Sequence, residues 1–344
     1  MASPDLNRTL RVDVELPANR LLLAEALREG ATRVRAARWR PDSQEGFNVV
    51  VAEPAKGFLE TAIFPMSFDY RIDPLVTRRL QVLAATTGWR FAGVETPGVT
   101  MDIDNPERTK KSSVRTLDLL RAMRGNFGPL VHAQFSAVTG VLGEELSGVR
   151  LVGESLGAQM VSAMAASGLG EPASVDLIEP VNAVRLGPSA FVRLARNLLG
   201  VETARKAEYL KENEAVGFGD VTAFELLSPE NAVVDRRLKS WRHQWKYANL
   251  PILGLTRGLG PLLTNVQGVT PARIWRGAAS EVCSERDCID LAETIRAAGH
   301  PAQVLTLVDQ ARSVELGHHV LTSLPRLAQF AQLLRTGCDE PSPR

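Results

Sequence analysis

Gly153-Glu154-Ser155-Leu156-Gly157 is the stretch whose residue types and spacing suit covalent chemistry. A serine hydroxyl becomes a useful nucleophile where a base can reach it and donors can bind the charge that develops on the substrate. Glycines two before and two after Ser155 permit a turn too tight for side chains, and leave the hydroxyl standing above the flanking elements. This G-x-S-x-G pattern is that of a nucleophile elbow, which requires a strand before it and a helix after it. Residues 149–152 predict the buried strand, and residues 156–166, rich in Ala and Met, predict the helix. Such a helix points its first N–H groups and positive dipole end at the serine, which makes the Leu156 N–H a natural donor to an oxyanion.

The elements that must position Ser155 alternate along the chain. Residues 8–16 alternate apolar and polar side chains and predict a half-exposed strand, while residues 21–38 predict an amphipathic helix interrupted at Gly30. Strands are expected at 47–52, 60–64 and 89–94, with a helix over 73–87 that stops at Gly88. Glu95-Thr96-Pro97-Gly98 is a turn signal, and beyond a cationic loop through Lys110 and Lys111 the run 113–123 reads as helical. The alternation predicts a mostly parallel sheet with helices on both faces and ligands at the carboxyl ends of the strands. After the helix, strands are expected at 174–178, 271–276 and 302–308, with helices at 287–298 and 325–334. Residues 181–268 differ in character: 189–199, 203–213 and 231–247 read as helical pieces between Gly and Pro signals, without strand alternation. The expected organisation is a core of residues 1–180 and 269–344 with a helical cap or lid inserted at 181–268.

Composition narrows the function class. The 344 residues suffice for one large α/β domain with an insertion or for two modest domains. Forty Lys plus Arg against 39 Asp plus Glu leave a formal charge of +1, which offers nucleic acid no electrostatic surface. No run approaches the roughly eighteen apolar residues of a membrane span, and the first twenty residues lack the apolar core of a signal peptide. Three cysteines make no disulfide framework. Cys283 and Cys288, with no partner pair at metal-ligand spacing, read as incidental thiols of a reduced cytoplasm. A cytoplasmic protein acting on a small molecule is expected, with a homo-oligomer left open.

From about residue 45 to 336 the chain resembles the α/β-hydrolase superfamily. Four positions carry the likeness: the elbow at Gly153 to Gly157, the turn at Glu95 to Gly98, the loop Gly277-Ala278-Ala279-Ser280-Glu281 where the family's acid resides, and Gly317-His318 before a closing helix. The resemblance implies a mostly parallel central sheet with helices on both faces, and a triad in the order serine, acid, histidine. His318 follows Gly317 and precedes the closing helix as the family's base does, with His319 the alternative beside it. Where the family's spacing calls for an aspartate this chain has Ser280, so the acid is expected from Glu281, whose extra methylene can span a displaced backbone. Glu179, leaving the strand after the elbow helix as the acid of some lipases does, and Asp287 are the alternatives. The family's second oxyanion donor comes from the loop after its third strand, where a His-Gly pair is usual. Here Pro65-Met66-Ser67-Phe68 stands in that place, and proline has no N–H, so Met66 or Ser67 is expected to donate.

The function implied is a serine hydrolase of ester or thioester bonds acting on a small acyl substrate, with Ser155 as nucleophile, His318 as base and Glu281 as acid. It needs neither metal nor organic cofactor. Acyl transfer on the same triad and a non-catalytic binding protein of the same fold are the competing classes. Trp241 and Trp245, in the cationic stretch 239–246, could stack on a ligand but at helical spacing more often serve a core.

Overall fold

Short runs rich in Val, Ile and Ala form the strands of one sheet. The computed structural model describes residues 6–12, 17–39, 47–66, 74–95, 117–118, 121, 126–215, 258–309 and 316–336. Its strands are β1 (Asn7–Val12), β2 (Thr32–Trp39), β3 (Phe47–Pro54), β4 (Thr61–Pro65), β5 (Arg90–Val94), β6 (Arg150–Glu154), β7 (Ser174–Ile178), β8 (Ala272–Gly277) and β9 (Ala302–Asp309). They lie side by side in the order β1-β9-β8-β7-β6-β4-β5-β3-β2. Pairing is antiparallel for β2 with β3 and β3 with β5, and parallel elsewhere. The expected mostly parallel sheet is therefore present, with β6 near its middle and its carboxyl end open between β4 and β7.

Both faces of the sheet are covered, which is why the central strands are apolar throughout rather than alternating. Val49, Val51, Ile63 and Leu151 belong to one buried cluster, whereas Val50, Ala52, Ala62 and Val152 belong to the other. Helices α1 (Pro17–Leu27) and α2 (Pro74–Thr87) cover the second face, and α3 (Gly128–Leu142) and α4 (Leu156–Ala166) the first. Between β7 and β8, the segment expected as an insertion carries α5 (Pro188–Asn197), a π-helical turn (Leu198–Glu202), α6 (Thr203–Ala215) and the short α7 (Gly260–Leu263) among its described residues. Helices α8 (Glu285–Ala297) and α9 (Leu324–Thr336) complete the two layers, with Phe330 of α9 edge-on to Trp275 of β8 at 5.0 Å.

Two stretches depart from expectation. The helix anticipated over 21–38 ends at Leu27, and after Gly30 at φ 76° the chain turns back as β2. All eight residues of β2 pair with β3, so sheet pairing wins over a helical pattern that Gly30 already breaks. Helix α3 was not anticipated, although Pro129 at its start and Gly143 in the left-handed conformation at its end bound it. The turn at 96–98, the cationic loop at Lys110 and Lys111, most of the run 113–123, the helix expected at 231–247 and the stretch with Trp241 and Trp245 lie outside the described residues.

Candidate active site

Strand β6 delivers the serine. Glu154 ends the strand, Ser155 follows at φ 54° and ψ −118°, and α4 begins at once with Leu156. A positive φ at a non-glycine residue costs on the order of 1–3 kcal/mol and persists where the surroundings over-determine it. Here the Ser155 N–H donates to the Ile178 carbonyl at 2.9 Å, tying the turn to β7. Both flanking glycines are demanded by contact. A Cβ on Gly153 would run into the Gly157 carbonyl, and one on Gly157 would sit 2.5 Å from the Pro65 oxygen at the end of β4. Beside the turn, buried Glu154 accepts from the buried Arg79 of α2 at 2.7 Å.

The chain after β9 delivers an imidazole. His318 is 2% exposed, and its Nε2 lies 3.1 Å from Ser155 Oγ. Its Nδ1 lies 3.4 Å from Oε2 of Glu179, longer than a tight charge-assisted hydrogen bond. Glu179 directly follows β7, with φ 49° and no exposed surface. A carboxylate so buried needs donors. Its Oε1 accepts the Gly277 N–H, and its Oε2 accepts the Ser280 hydroxyl at 2.5 Å. The serine that stands where an aspartate was expected thus holds the carboxylate that follows the neighbouring strand. Burial by itself would lower the His318 pKa, but the hydrogen bond and charge of Glu179, with the charges of Glu154 and Glu202, more than offset it and raise the imidazole above its ordinary value.

Glu281 does not reach this imidazole. Its side chain is exposed, with Oε2 3.4 Å from Asn197 Nδ2 at the end of α5, and its N–H donates to Glu202 Oε1 at 3.1 Å. Ser280 turns toward the sheet and its neighbour turns toward the insertion, so the geometry favours Glu179 over the expected Glu281. Asp287 lies in the first turn of α8, where its N–H is capped by Ser284 Oγ at 3.1 Å and its charge suits the helix terminus. His319 is buried edge-on against His318, with ring centroids 5.0 Å apart.

The anion donors come out unevenly. Leu156 opens α4, where first-turn N–H groups have no acceptor within the helix. The Met66 N–H, expected as the second donor, is already committed to the Val94 carbonyl at 2.8 Å. Ser67, the other candidate, lies outside the described residues. Among the described residues no group of three or more His, Cys, Asp and Glu side chains is arranged to hold a metal ion.

Three contributors gave no signal in the sequence: Arg79, and two residues of the insertion, Glu202 and Tyr209. The Gly317 N–H donates to Tyr209 Oη and the His318 N–H to Glu202 Oε2, both at 2.8 Å. Acidic and aromatic residues in a helical segment are ordinary, and nothing local announces that these two meet a loop more than a hundred residues away.

Solved structures share this architecture. An esterase from Pyrobaculum calidifontis superposes with a TM-score of 0.50 at 13% identity, covering 94% of this chain and 92% of its own. A membrane phospholipase A described as a bacterial virulence factor gives a TM-score of 0.50 at 15% identity, covering 94% of this chain and 90% of its own. A thioesterase domain from the curacin biosynthetic pathway gives 0.44 at 14% identity, covering 87% of this chain and 99% of its own. At such identities the likeness establishes the fold, which is that of the α/β-hydrolases. No protein-family model matches the chain, and no curated protein matches it in sequence.

Proposed function

We propose that the protein is a serine hydrolase of carboxylic esters or thioesters that works through an acyl-enzyme. The 3.1 Å approach of His318 Nε2 to Ser155 Oγ, on a strained turn at the carboxyl end of a central strand, carries this reading. His318 takes the hydroxyl proton as Ser155 attacks the carbonyl, then returns it to the departing alcohol or thiol. Water then attacks the acyl carbonyl and gives a proton to His318, which passes it to Ser155 Oγ as the acyl–oxygen bond breaks and the acid departs. Glu179 replaces Glu281 in the role of orienting the imidazole and supporting its charge. The Leu156 N–H binds the oxyanion, with Ser67 the second donor now that Met66 is engaged in the sheet. Residues 181–268 are read as the cap, a reading supported by Glu202 and Tyr209, which bind the histidine loop.

The test is hydrolysis of p-nitrophenyl acyl esters of graded chain length, together with labelling by a fluorophosphonate. Ser155→Ala and His318→Ala each lower kcat/KM by about 10⁴-fold or more, and the label falls on Ser155 in the wild type alone. Ester hydrolysis that survives Ser155→Ala overturns the reading.

A further inference from the structure

Glu202 is a carboxylate with no exposed surface, yet it belongs to a π-helical turn whose neighbours Gly200 and Val201 face solvent. Burying an ionised carboxylate costs several kcal/mol unless its lone pairs find donors. Both of its oxygens find them at the catalytic loops. Oε2 accepts the His318 N–H at 2.8 Å, while Oε1 accepts the Glu281 N–H at 3.1 Å and Arg205 Nη1 at 2.9 Å. Arg205 Nη1 also donates to the Ala279 carbonyl at 2.6 Å. One side chain of the insertion therefore binds the peptide of the base and, with its arginine, the loop that holds Glu179 through Ser280.

The same helix face extends the grip. Tyr209 Oη accepts the Gly317 N–H, and Asn213 accepts the Leu324 N–H at 2.7 Å while donating to the Thr322 carbonyl at 3.0 Å. Residues 202, 209 and 213 recur at helical spacing, so α6 tracks the chain from Gly317 to Leu324. The fit at Gly317 is close, since a Cβ there would stand 2.6 Å from Glu202 Oε2.

We propose that Glu202 is a positioning residue for the base: it fixes the Gly317–His318 peptide so that the imidazole spans Ser155 and Glu179, making the catalytic geometry depend on the docked insertion. The inference rests on the reading of His318 as base. It separates from a merely structural role through charge. The charges facing His318 are Glu179 from the loop after β7, Glu154 from β6 and Glu202 from the insertion, with Arg205 paired to Glu202 and His319 alongside. The Tyr209 phenol, pushed up to about 12 chiefly by burial, stays neutral. Negative charge holds the proton on His318, and only the neutral imidazole accepts the serine proton. The acid limb of reactivity must therefore fall to lower pH when the Glu202 charge is removed, and rise when its compensating Arg205 is removed.

The measurement is the rate of Ser155 labelling by a fluorophosphonate as a function of pH, for wild type, Glu202→Gln, Glu202→Asp and Arg205→Met. Gln puts an amide NH₂ against donors and lacks the charge, so its labelling slows about 10- to 100-fold and its midpoint moves down. Asp keeps the charge but falls a methylene short, so it is slow with a midpoint nearer that of wild type. Arg205→Met, at a side chain 18% exposed, removes the compensating cation without touching the carboxylate, and moves the midpoint up even if Glu202→Gln folds poorly. Wild-type rates and midpoints in the Gln and Met variants, or losses uniform at every pH, overturn the proposal. A wild type left unlabelled at Ser155 instead overturns the reading of the base, and this inference falls with it.

Discussion

A carboxylate can orient a histidine only where it is itself oriented, and the glutamates that follow β7 and β8 differ in that respect as well as in burial and reach. Glu179 has one oxygen on the Gly277 N–H and the other on the Ser280 hydroxyl, with no surface open to water. Glu281 is solvated and faces Asn197. Glu179→Gln should therefore lower kcat/KM by about 10⁴-fold, the scale expected when the acid is made neutral and the imidazole loses its tautomer. Glu281→Gln should stay within severalfold of wild type. In ester hydrolysis followed against pH, the acid limb of kcat/KM should lie above the ordinary histidine value of about 6.5, because the fold raises the His318 pKa. Reversed ranks of the two glutamine variants would return the acid to the β8 loop. Ser155 and its glycines were legible in sequence, and so was His318, since spacing around a turn is a local property. Which carboxylate lies beside His318 was not, because the placing of Glu179 and Glu281 turns on a left-handed φ of 49° and on the way one serine points.

At the scale of elements, the turn that carries Ser155 is stiffened from beside as well as by packing. Arg79 of α2 and Glu154 of β6 form an ion pair of side chains 4% and 2% exposed, one residue before the serine. Such a pair adds little net stability over apolar packing, but removing one member strips a buried charge of this ion pair, at a cost of about 3–5 kcal/mol. Arg79→Met should lower the unfolding free energy by that amount, and the denaturant midpoint with it. The double variant Arg79→Met with Glu154→Leu should recover most of it, and urea unfolding of the three proteins measures both effects. If the double variant is as unstable as the single, the pair is not the source of the loss. Elements were otherwise read well where apolar runs and punctuation agreed, as over Leu156–Ala166 and Ser174–Ile178. They were misread over 21–38, where Leu21 to Leu27 and the strand Thr32–Trp39 both present apolar residues, and only the partner strand β3 decides which periodicity prevails.

At the scale of the molecule, core and insertion are joined through Arg326, a guanidinium with no exposed surface. It makes two hydrogen bonds to Glu212 of α6, at 2.8 and 2.7 Å, and its Nη1 lies 2.8 Å from Asp309 at the end of β9. It also stands over the ring of Tyr209, 5.4 Å from the centroid. Burial alone would lower its pKa, but the bonds and charge of Glu212 and the charge of Asp309 hold it above its ordinary value. One side chain of the closing helix α9 thus ties the sheet to the insertion whose Tyr209 and Glu202 bind the histidine loop. Arg326→Met should lower the unfolding free energy by about 3–5 kcal/mol, since the buried Asp309 carboxylate and the half-buried Glu212 both lose this guanidinium. Loosened α6 should also release the Gly317 and His318 N–H groups, so Ser155 should label more slowly with fluorophosphonate well below the melting temperature. Calorimetry reads the first effect and labelling the second. A variant that melts early but labels at the wild-type rate while folded would show that the histidine loop keeps its geometry without the insertion, and that Arg326 serves stability alone.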